Sequence, residues 1–101
     1  MADDNFYAHR REQLRADILV ILNRARPTGA MERLVRLTLG DQYSSVGPAE
    51  MRREAVYLEE KSLLGIERRR GDNWHLRLTP DGVDVVEGVL DTPVGIADMT
   101  S

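Results

Sequence analysis

The stretch Val46–Thr79 constrains the fold most, because the spacing of its apolar residues changes from helical to extended. A helix is predicted to begin at Pro48, since proline suits the first helical position, where its missing N–H removes no hydrogen bond. Met51, Ala55 and Leu58 then recur at helical spacing and predict one buried stripe. The opposite face of this helix, which carries arginine, is therefore predicted to be exposed.

Beyond this helix the apolar residues alternate with polar ones, which is the pattern of half-buried strands. Leu64 and Ile66 lie on one such strand, and Trp74, Leu76 and Leu78 lie on a second. The two strands are predicted to form an antiparallel hairpin, because the residues between them suit a tight, exposed turn. Those turn residues are Arg70, Gly71, Asp72 and Asn73.

A first helix is predicted ahead of this stretch, capped by Asp4 or Asn5 and ending near Arg24. Residues 1–5 are predicted to be flexible, as chain ends without packing partners commonly are. The buried side of the helix is predicted from helical spacing and comprises Leu14, Ile18, Ile21 and Leu22.

A short second helix is predicted over residues 29–39, with Thr28 as its cap and Gly40 as its closing C′ residue. Residues 41–45 are polar and few, so they are predicted to form a turn between two helices. The second helix is expected to present one common face made of Met31, Leu34, Val35 and Thr38.

Thr79 and Pro80 predict the start of a last helix, because a hydroxyl cap directly precedes a proline at the first helical position. From Asp91 onward no periodicity remains, so a tail is predicted, with residues 97–101 flexible. Three tail residues are candidates for packing on the domain: Pro93, Val94 and Ile96. The buried side of the last helix is expected to comprise Val85, Val86, Val89 and Leu90.

The chain of 101 residues, with 42% hydrophobic and 31% charged residues, is predicted to form one soluble domain spanning residues 1–101. The longest apolar run, Ile18 to Leu22, is too short to cross a bilayer, and no secretory signal is evident. No membrane partner is therefore expected. Because the chain has no cysteine, disulfides and thiolate metal sites are excluded, which fits a cytoplasmic protein.

The net charge of −3 is unevenly distributed along the chain. All fourteen basic residues precede Pro80, where twelve acids leave a charge of +2, whereas five acids and no base follow. A duplex-binding protein needs positive charge where phosphates lie, and its total charge matters less. The ordinary alternative is that these arginines form a solvated face.

Two motifs flank the predicted hairpin, LEEKSLL at 58–64 and LTPDG at 78–82. With the order helix, helix, helix, hairpin, helix, they resemble winged-helix proteins of the ArsR and MarR type, which usually have glycine where this chain has Ser62. The segments GVDVVEG and DTPVG near the end resemble a family of small winged-helix proteins of Mu-like phages and prophages. The resemblance implies a mainly α fold with a small β-hairpin, namely a winged helix-turn-helix of three helices, wing hairpin and C-terminal helix.

The resemblance further implies a DNA-binding regulator of phage or prophage transcription, in which the third helix reads double-stranded DNA and the hairpin is the wing. Arginine suits both elements, because its planar fork matches guanine edges and phosphates. A homodimer through the first and last helices would double the contacts. The expected DNA contacts are Arg52, Arg53, Tyr57, Arg68, Arg69, Arg70 and Arg77.

This interpretation requires the Arg52/Arg53 side of the third helix and the arginine-tipped loop to share one exposed cationic edge. Finding those side chains engaged within the fold or buried between subunits would end the case for duplex recognition. Glu54, Glu59 and Glu60 on the same helix already weigh against strong binding, because carboxylates repel phosphates. For Arg77, ordinary solvent exposure is the alternative.

No feature of the sequence predicts catalysis, a cofactor, a metal site or a small-molecule ligand. His9 and Glu12 could share one helix face, but two such residues without a third ligand are far more often solvated. Cysteine nucleophiles, Gly-rich phosphate loops and recognisable Ser/His/Asp sets are missing from the sequence.

A second hypothesis follows from the negative total charge. It assigns the chain a winged-helix fold used for protein–protein contact in phage assembly or regulation, without DNA binding. The binding surface would comprise the acidic last helix together with Phe6 and Tyr7. The alternative for these two aromatic residues is packing onto the domain's own C-terminal helix.

Overall fold

The computed structural model describes residues 2–40, 42–43 and 45–99, and over these the chain forms four α-helices and one small antiparallel sheet. Two residues of the predicted 41–45 turn, Asp41 and Ser44, lie outside the described residues, as do Met1, Thr100 and Ser101. In chain order the elements are α1 (Ala2–Arg24), β1 (Ala30–Met31), α2 (Glu32–Leu39), α3 (Pro48–Glu60), β2 (Leu64–Arg69), β3 (Asn73–Leu78) and α4 (Pro80–Val86).

The helix predicted to begin at Pro48 is confirmed as α3, with Gly47 as its N-terminal cap residue. Its predicted stripe is also confirmed, because Met51, Ala55 and Leu58 have no exposed surface. This stripe packs α3 against α1, α2 and β2. On the other side of α3, Arg53 and Glu60 are exposed.

The predicted hairpin is confirmed by β2 and β3, in which Ile66 lies opposite Leu76. The chain reverses through a single 3₁₀ turn, Arg70–Asp72, where Gly71 and Asp72 have φ of 73° and 68°. A third strand, β1, pairs with the other side of β3 and was not predicted. The sheet order is therefore β1-β3-β2, and the fold is mixed α/β.

The hydrophobic core is centred on α1, which contacts α2, α3, α4 and β3. Leu14, Ile18 and Leu22 are fully buried as predicted, whereas Ile21 is half-buried. Leu19 is buried as well, so the apolar stripe of α1 is wider than the spacing alone indicated. A central helix needs such a wide stripe because other elements cover it on several sides.

The predicted start of the second helix is wrong, because α2 begins at Glu32 and Thr28 does not cap it. Gly29 has φ of 80°, which lies outside the helical region, and the two residues after it pair with β3. Tertiary pairing has therefore replaced the first turn of the predicted helix. Gly40 closes α2 as predicted, but it is the C-cap residue, with φ of −58°, and not the C′ residue.

The face that α2 buries also differs from the prediction. Val35 is buried, but Met31, Leu34 and Thr38 are exposed, with 59% of Leu34 accessible to solvent. The buried residues of α2 are Glu32, Val35 and Leu39. The four residues expected to share one face therefore do not share one environment, because only Val35 among them is buried.

The two end helices each differ from the prediction at one end. The first helix, α1, begins at Ala2, so Asp4 and Asn5 lie within it and neither caps it. The last helix, α4, ends at Val86, and Gly88 adopts a left-handed φ of 80° just beyond it. Val85 is buried and Val86 is half-buried, but the chain turns before the other two predicted core residues can pack. Those exposed residues are Val89 and Leu90.

The segment after α4, residues 91–99, runs back along α1 and is here called the C-terminal strap. Its Ala97 amide donates a hydrogen bond to the Glu12 carbonyl at 3.0 Å. Ile96 is buried in the core, whereas the side chain of Val94 is 94% exposed. One predicted anchor of the tail is therefore confirmed and another is wrong.

The LTPDG motif forms a close contact between the start of α4 and the segment that joins α3 to β2. The Thr79 hydroxyl accepts a hydrogen bond from the Gly82 amide at 3.0 Å, which confirms the predicted cap. A Cβ atom on Gly82 would lie 2.0 Å from the Leu63 carbonyl oxygen. We therefore expect Gly82→Ala to lower the free energy of unfolding by about 1–3 kcal/mol, as for other overpacked sites.

The matched control for this substitution is Gly65→Ala, because a Cβ atom on Gly65 would have nothing within 4 Å. Urea unfolding of both variants followed by circular dichroism measures the difference. A Gly82→Ala variant as stable as Gly65→Ala would contradict the close contact.

Candidate nucleic-acid interface

Helix α3 and the hairpin meet at the single tryptophan of the chain, Trp74 on β3. The guanidinium carbon of Arg52, from α3, lies 4.6 Å from the centroid of its ring. The guanidinium carbon of Arg68, from β2, lies 4.7 Å from the same ring. Two arginines that are distant in the sequence therefore share one aromatic partner by cation–π contact.

Arg52 is held by carboxylates from two other elements. Its Nε donates to Glu32 at 3.1 Å, and its Nη1 donates to the Asp72 carboxylate at 2.6 Å. Its Nη2 donates to the Asp72 carbonyl at 2.5 Å. The hydrogen bond to the Asp72 carboxylate is the main cause that raises the pKa of Arg52. Arg52 thus joins α2, α3 and the hairpin turn.

Two arginines of the hairpin are also paired with carboxylates. Arg68 donates to both oxygens of Glu59, at 3.1 and 3.2 Å, and this hydrogen bonding raises the pKa of Arg68. Arg69 donates to Glu67, and that hydrogen bond is the main cause that lowers the pKa of Glu67. Arg52, Arg68 and Arg69, three of the arginines predicted to contact DNA, are therefore engaged by carboxylates within the fold. For these three, the condition set against duplex recognition is met, and the predicted cationic edge is reduced to the arginines that remain exposed.

The other two predicted arginines of this region are more available. The side chain of Arg53 is 67% exposed, with its Nε 3.8 Å from the nearer oxygen of Glu54. Arg70 is exposed in the hairpin turn, and among the described residues no hydrogen bond or ion pair engages its side chain. Arg33, which was not predicted, lines a cleft beside Arg52.

Two predicted DNA contacts lie apart from this group. Arg77 follows Leu76 on β3 and so faces the side of the sheet opposite Trp74, where its Nε donates to the Thr28 carbonyl at 3.4 Å. The ring of Tyr57 lies 3.6 Å from the guanidinium carbon of Arg15, and its hydroxyl donates to the strap at 3.4 Å. Tyr57 is therefore engaged in holding the strap.

A buried ion pair lies beneath Tyr57. Glu54 has no exposed surface, and its Oε1 accepts a hydrogen bond from the Arg15 Nε at 2.6 Å. Arg15 also donates to the Gly95 carbonyl at 2.9 Å, which ties the strap to α1. This cluster was not predicted, because its members are 39 and 80 residues apart in the sequence.

Comparison of the chain with protein-family models, with curated proteins and with solved structures gives no match in any of the three. The resemblance to winged-helix phage proteins therefore stays a prediction based on the quoted motifs. Within the described ranges, no helix has the length and apolar content to span a membrane. Over the same ranges, no three His, Asp or Glu side chains cluster in a way that could hold a metal ion.

Proposed function

We propose that this chain is a DNA-binding protein of winged-helix type that regulates transcription in a phage or prophage. The element order supports this proposal, because α2 and α3 form a helix pair and the β2–β3 hairpin follows directly beside them. Such a helix pair with an adjacent hairpin suits docking of the second helix in a major groove.

The convergence at Trp74 is the observation that carries the proposal. It places an arginine of the proposed reading helix, Arg52, beside an arginine of the proposed wing, Arg68. A duplex lying over Trp74 would meet arginines from both elements at once. Arg53 and Arg70 would extend that contact, because both side chains are exposed.

The carboxylate partners lower the affinity that we expect without excluding contact. Exposed ion pairs contribute only about 0.2–1 kcal/mol, so phosphates can replace carboxylates as partners of exposed arginines. The partners of the hairpin arginines are accessible, since 62% of the Glu67 side chain and 31% of the Glu59 side chain are exposed. Weak, strongly salt-dependent binding is the expected behaviour.

A homodimer would raise this affinity, because two modules on one duplex double the contacts and set a half-site spacing. We propose that the first and last helices supply the contact between the two copies. Exposed apolar side chains near these helices support this assignment, since large apolar groups at a surface commonly mark association sites. They are Phe6, Tyr7, Val89 and Leu90.

Fluorescence anisotropy with labelled duplexes of random and phage-derived sequence, at about 50 mM salt, tests the proposal. We expect binding by the native chain and weaker binding by Arg70→Ala, which removes an exposed arginine from the hairpin turn. Arg24→Ala is the matched control, since it removes an equal charge from the end of α1 that is far from Phe6 and Tyr7. Failure to bind any duplex at low salt would contradict the proposal.

That negative result would favour a second function, in which the chain binds another protein. Phe6 and Tyr7 are 64% and 57% exposed and form an edge-to-face pair with ring centroids 5.4 Å apart. Two adjacent exposed aromatic rings are typical anchors of protein interfaces. In this alternative, Phe6 and Tyr7 and the acidic α4 form the binding surface.

A further inference from the structure

A cleft of about 150 Å³ lies between the start of α2, the start of α3 and the hairpin turn. Its volume is several times the roughly 30 Å³ that one water molecule occupies in the liquid, so it admits a phosphate group. Three guanidinium groups, the indole ring and two carboxylates are among the groups that line it. These residues are Arg33, Arg36, Arg52, Trp74, Glu32 and Asp72.

The cleft contains guanidinium groups whose hydrogen-bonding capacity is not fully used. The Nε of Arg36 is buried without a hydrogen-bond partner and lies 3.7 Å from the nearest Glu32 oxygen. Arg33 is exposed, and no hydrogen bond or ion pair engages its side chain within the described part of the chain. A bound oxyanion would supply acceptors for the exposed guanidinium group of Arg33.

The Asp72 carboxylate lies at the mouth of this cleft and pairs with Arg52, as a bound anion would. Its carboxylate binds Arg52 at 2.6 Å while 77% of its side chain is exposed to solvent. The residue belongs to a turn and not to the core, so its carboxylate can move away without disturbing the packing. The three arginines and the two carboxylates, Glu32 and Asp72, give the cleft a net charge of +1. This net charge becomes +2 when Asp72 moves away.

We propose that this cleft binds one phosphate group and that the Asp72 carboxylate competes with it for Arg52. Arg33 and Arg52 would donate hydrogen bonds to the phosphate oxygens. The phosphate would come either from a duplex backbone, in which case this inference rests on the proposed function, or from free inorganic phosphate. Asp72 would then lower the affinity of the cleft for anions, since an anion binds only if it displaces the Asp72 carboxylate from Arg52.

Trp74 provides a direct readout, because it is the single tryptophan of the chain and Arg52 contacts its ring. We expect inorganic phosphate to change its fluorescence at constant ionic strength, whereas chloride does not. Asp72→Asn should tighten phosphate binding about three- to tenfold, because one competing charge is removed at close range. Asparagine keeps the side-chain volume and tolerates the positive φ of this residue.

Arg33→Gln should weaken phosphate binding by a similar factor. The matched control for Asp72→Asn is Asp81→Asn. Asp81→Asn removes the same charge as Asp72→Asn, but from the exposed surface of α4. Equal affinities of Asp72→Asn and the native chain, or a Trp74 signal that phosphate leaves unchanged, would overturn the inference.

Titration with a duplex separates this inference from the proposed function. Tighter duplex binding by Asp72→Asn would identify the backbone phosphate as the ligand. Phosphate binding without duplex binding would support the cleft and contradict DNA recognition. Duplex binding that neither Asp72→Asn nor Arg33→Gln alters would leave DNA recognition standing and would exclude the backbone phosphate as the ligand of the cleft.

Discussion

Replacing Arg15 with methionine is expected to lower the free energy of unfolding by about 3–5 kcal/mol, because it removes the hydrogen-bonded counter-charge of a buried carboxylate and leaves only the exposed Arg53, whose Nε lies 3.8 Å from Glu54. Glu54 has no exposed surface and depends on the Arg15 Nε at 2.6 Å. Its second oxygen already lacks a hydrogen-bond partner. The same substitution also removes the hydrogen bond to Gly95, so the C-terminal strap loses one of its attachments to α1.

Thermal unfolding followed by circular dichroism measures this effect. For a domain of this size about 1 kcal/mol corresponds to a shift of about 4–8 °C, so the melting temperature should fall by at least about 12 °C. Arg69→Met is the control, because it breaks an ion pair in which both side chains are about half exposed. That control should cost no more than about 1 kcal/mol.

A double variant distinguishes a lost counter-charge from lost packing. Arg15→Met combined with Glu54→Met removes both charges and keeps similar side-chain volumes, so it should recover much of the lost stability. A single variant that is no less stable than Arg69→Met would show that the pair is not buried in solution. A double variant less stable than the single one would show that packing and not charge is responsible.

Local patterns predicted the elements whose residues pack through a regular face. The stripe of Met51, Ala55 and Leu58 follows the helical period, and the hairpin strands follow the extended one. Each of these two patterns is set by residues that are only a few positions apart in the sequence. The start of α4 was predictable for the same reason, since its Thr79 cap and Pro80 are adjacent.

Features that depend on distant partners could not be predicted. Strand β1 has two residues, too few for a periodic signal, and exists because they pair with β3 more than forty residues later. Its formation removed the first turn of the predicted second helix. The conformation of Ser62 was indicated only by the resemblance to winged-helix proteins, which usually have glycine at this position. Ser62 adopts a positive φ of 65°, a conformation that glycine adopts more readily.

In the candidate site, the element to which each residue belongs was predictable, but the partners of its side chain were not. The sequence indicates which arginines belong to α3 and the hairpin, but it does not show that Glu32, Glu59 and Asp72 pair with them. Tyr57 lies on the predicted helix, yet its ring is used by Arg15 from α1. Residues on one element thus acquire different roles from the elements that pack beside them.

Changing Arg68, Arg69 and Arg70 together to alanine is expected to reduce the salt dependence of duplex binding. Each arginine that contacts a phosphate contributes about 0.9 to the slope of log affinity against log salt. Three lost contacts would lower the slope by up to about 2.7. Between about 50 and 200 mM salt, the affinity of the native chain should therefore fall up to about 40-fold more than that of the variant.

The control for this experiment changes Arg24, which is exposed at the end of α1 far from Phe6 and Tyr7, to alanine. It removes positive charge without touching the hairpin, so its slope should stay close to the native one. Because Arg68 and Arg69 must leave Glu59 and Glu67 to reach a phosphate, the single Arg70→Ala variant should account for a disproportionate share of the loss. Equal slopes for the native chain and the triple variant would show that the hairpin is not a wing in contact with DNA.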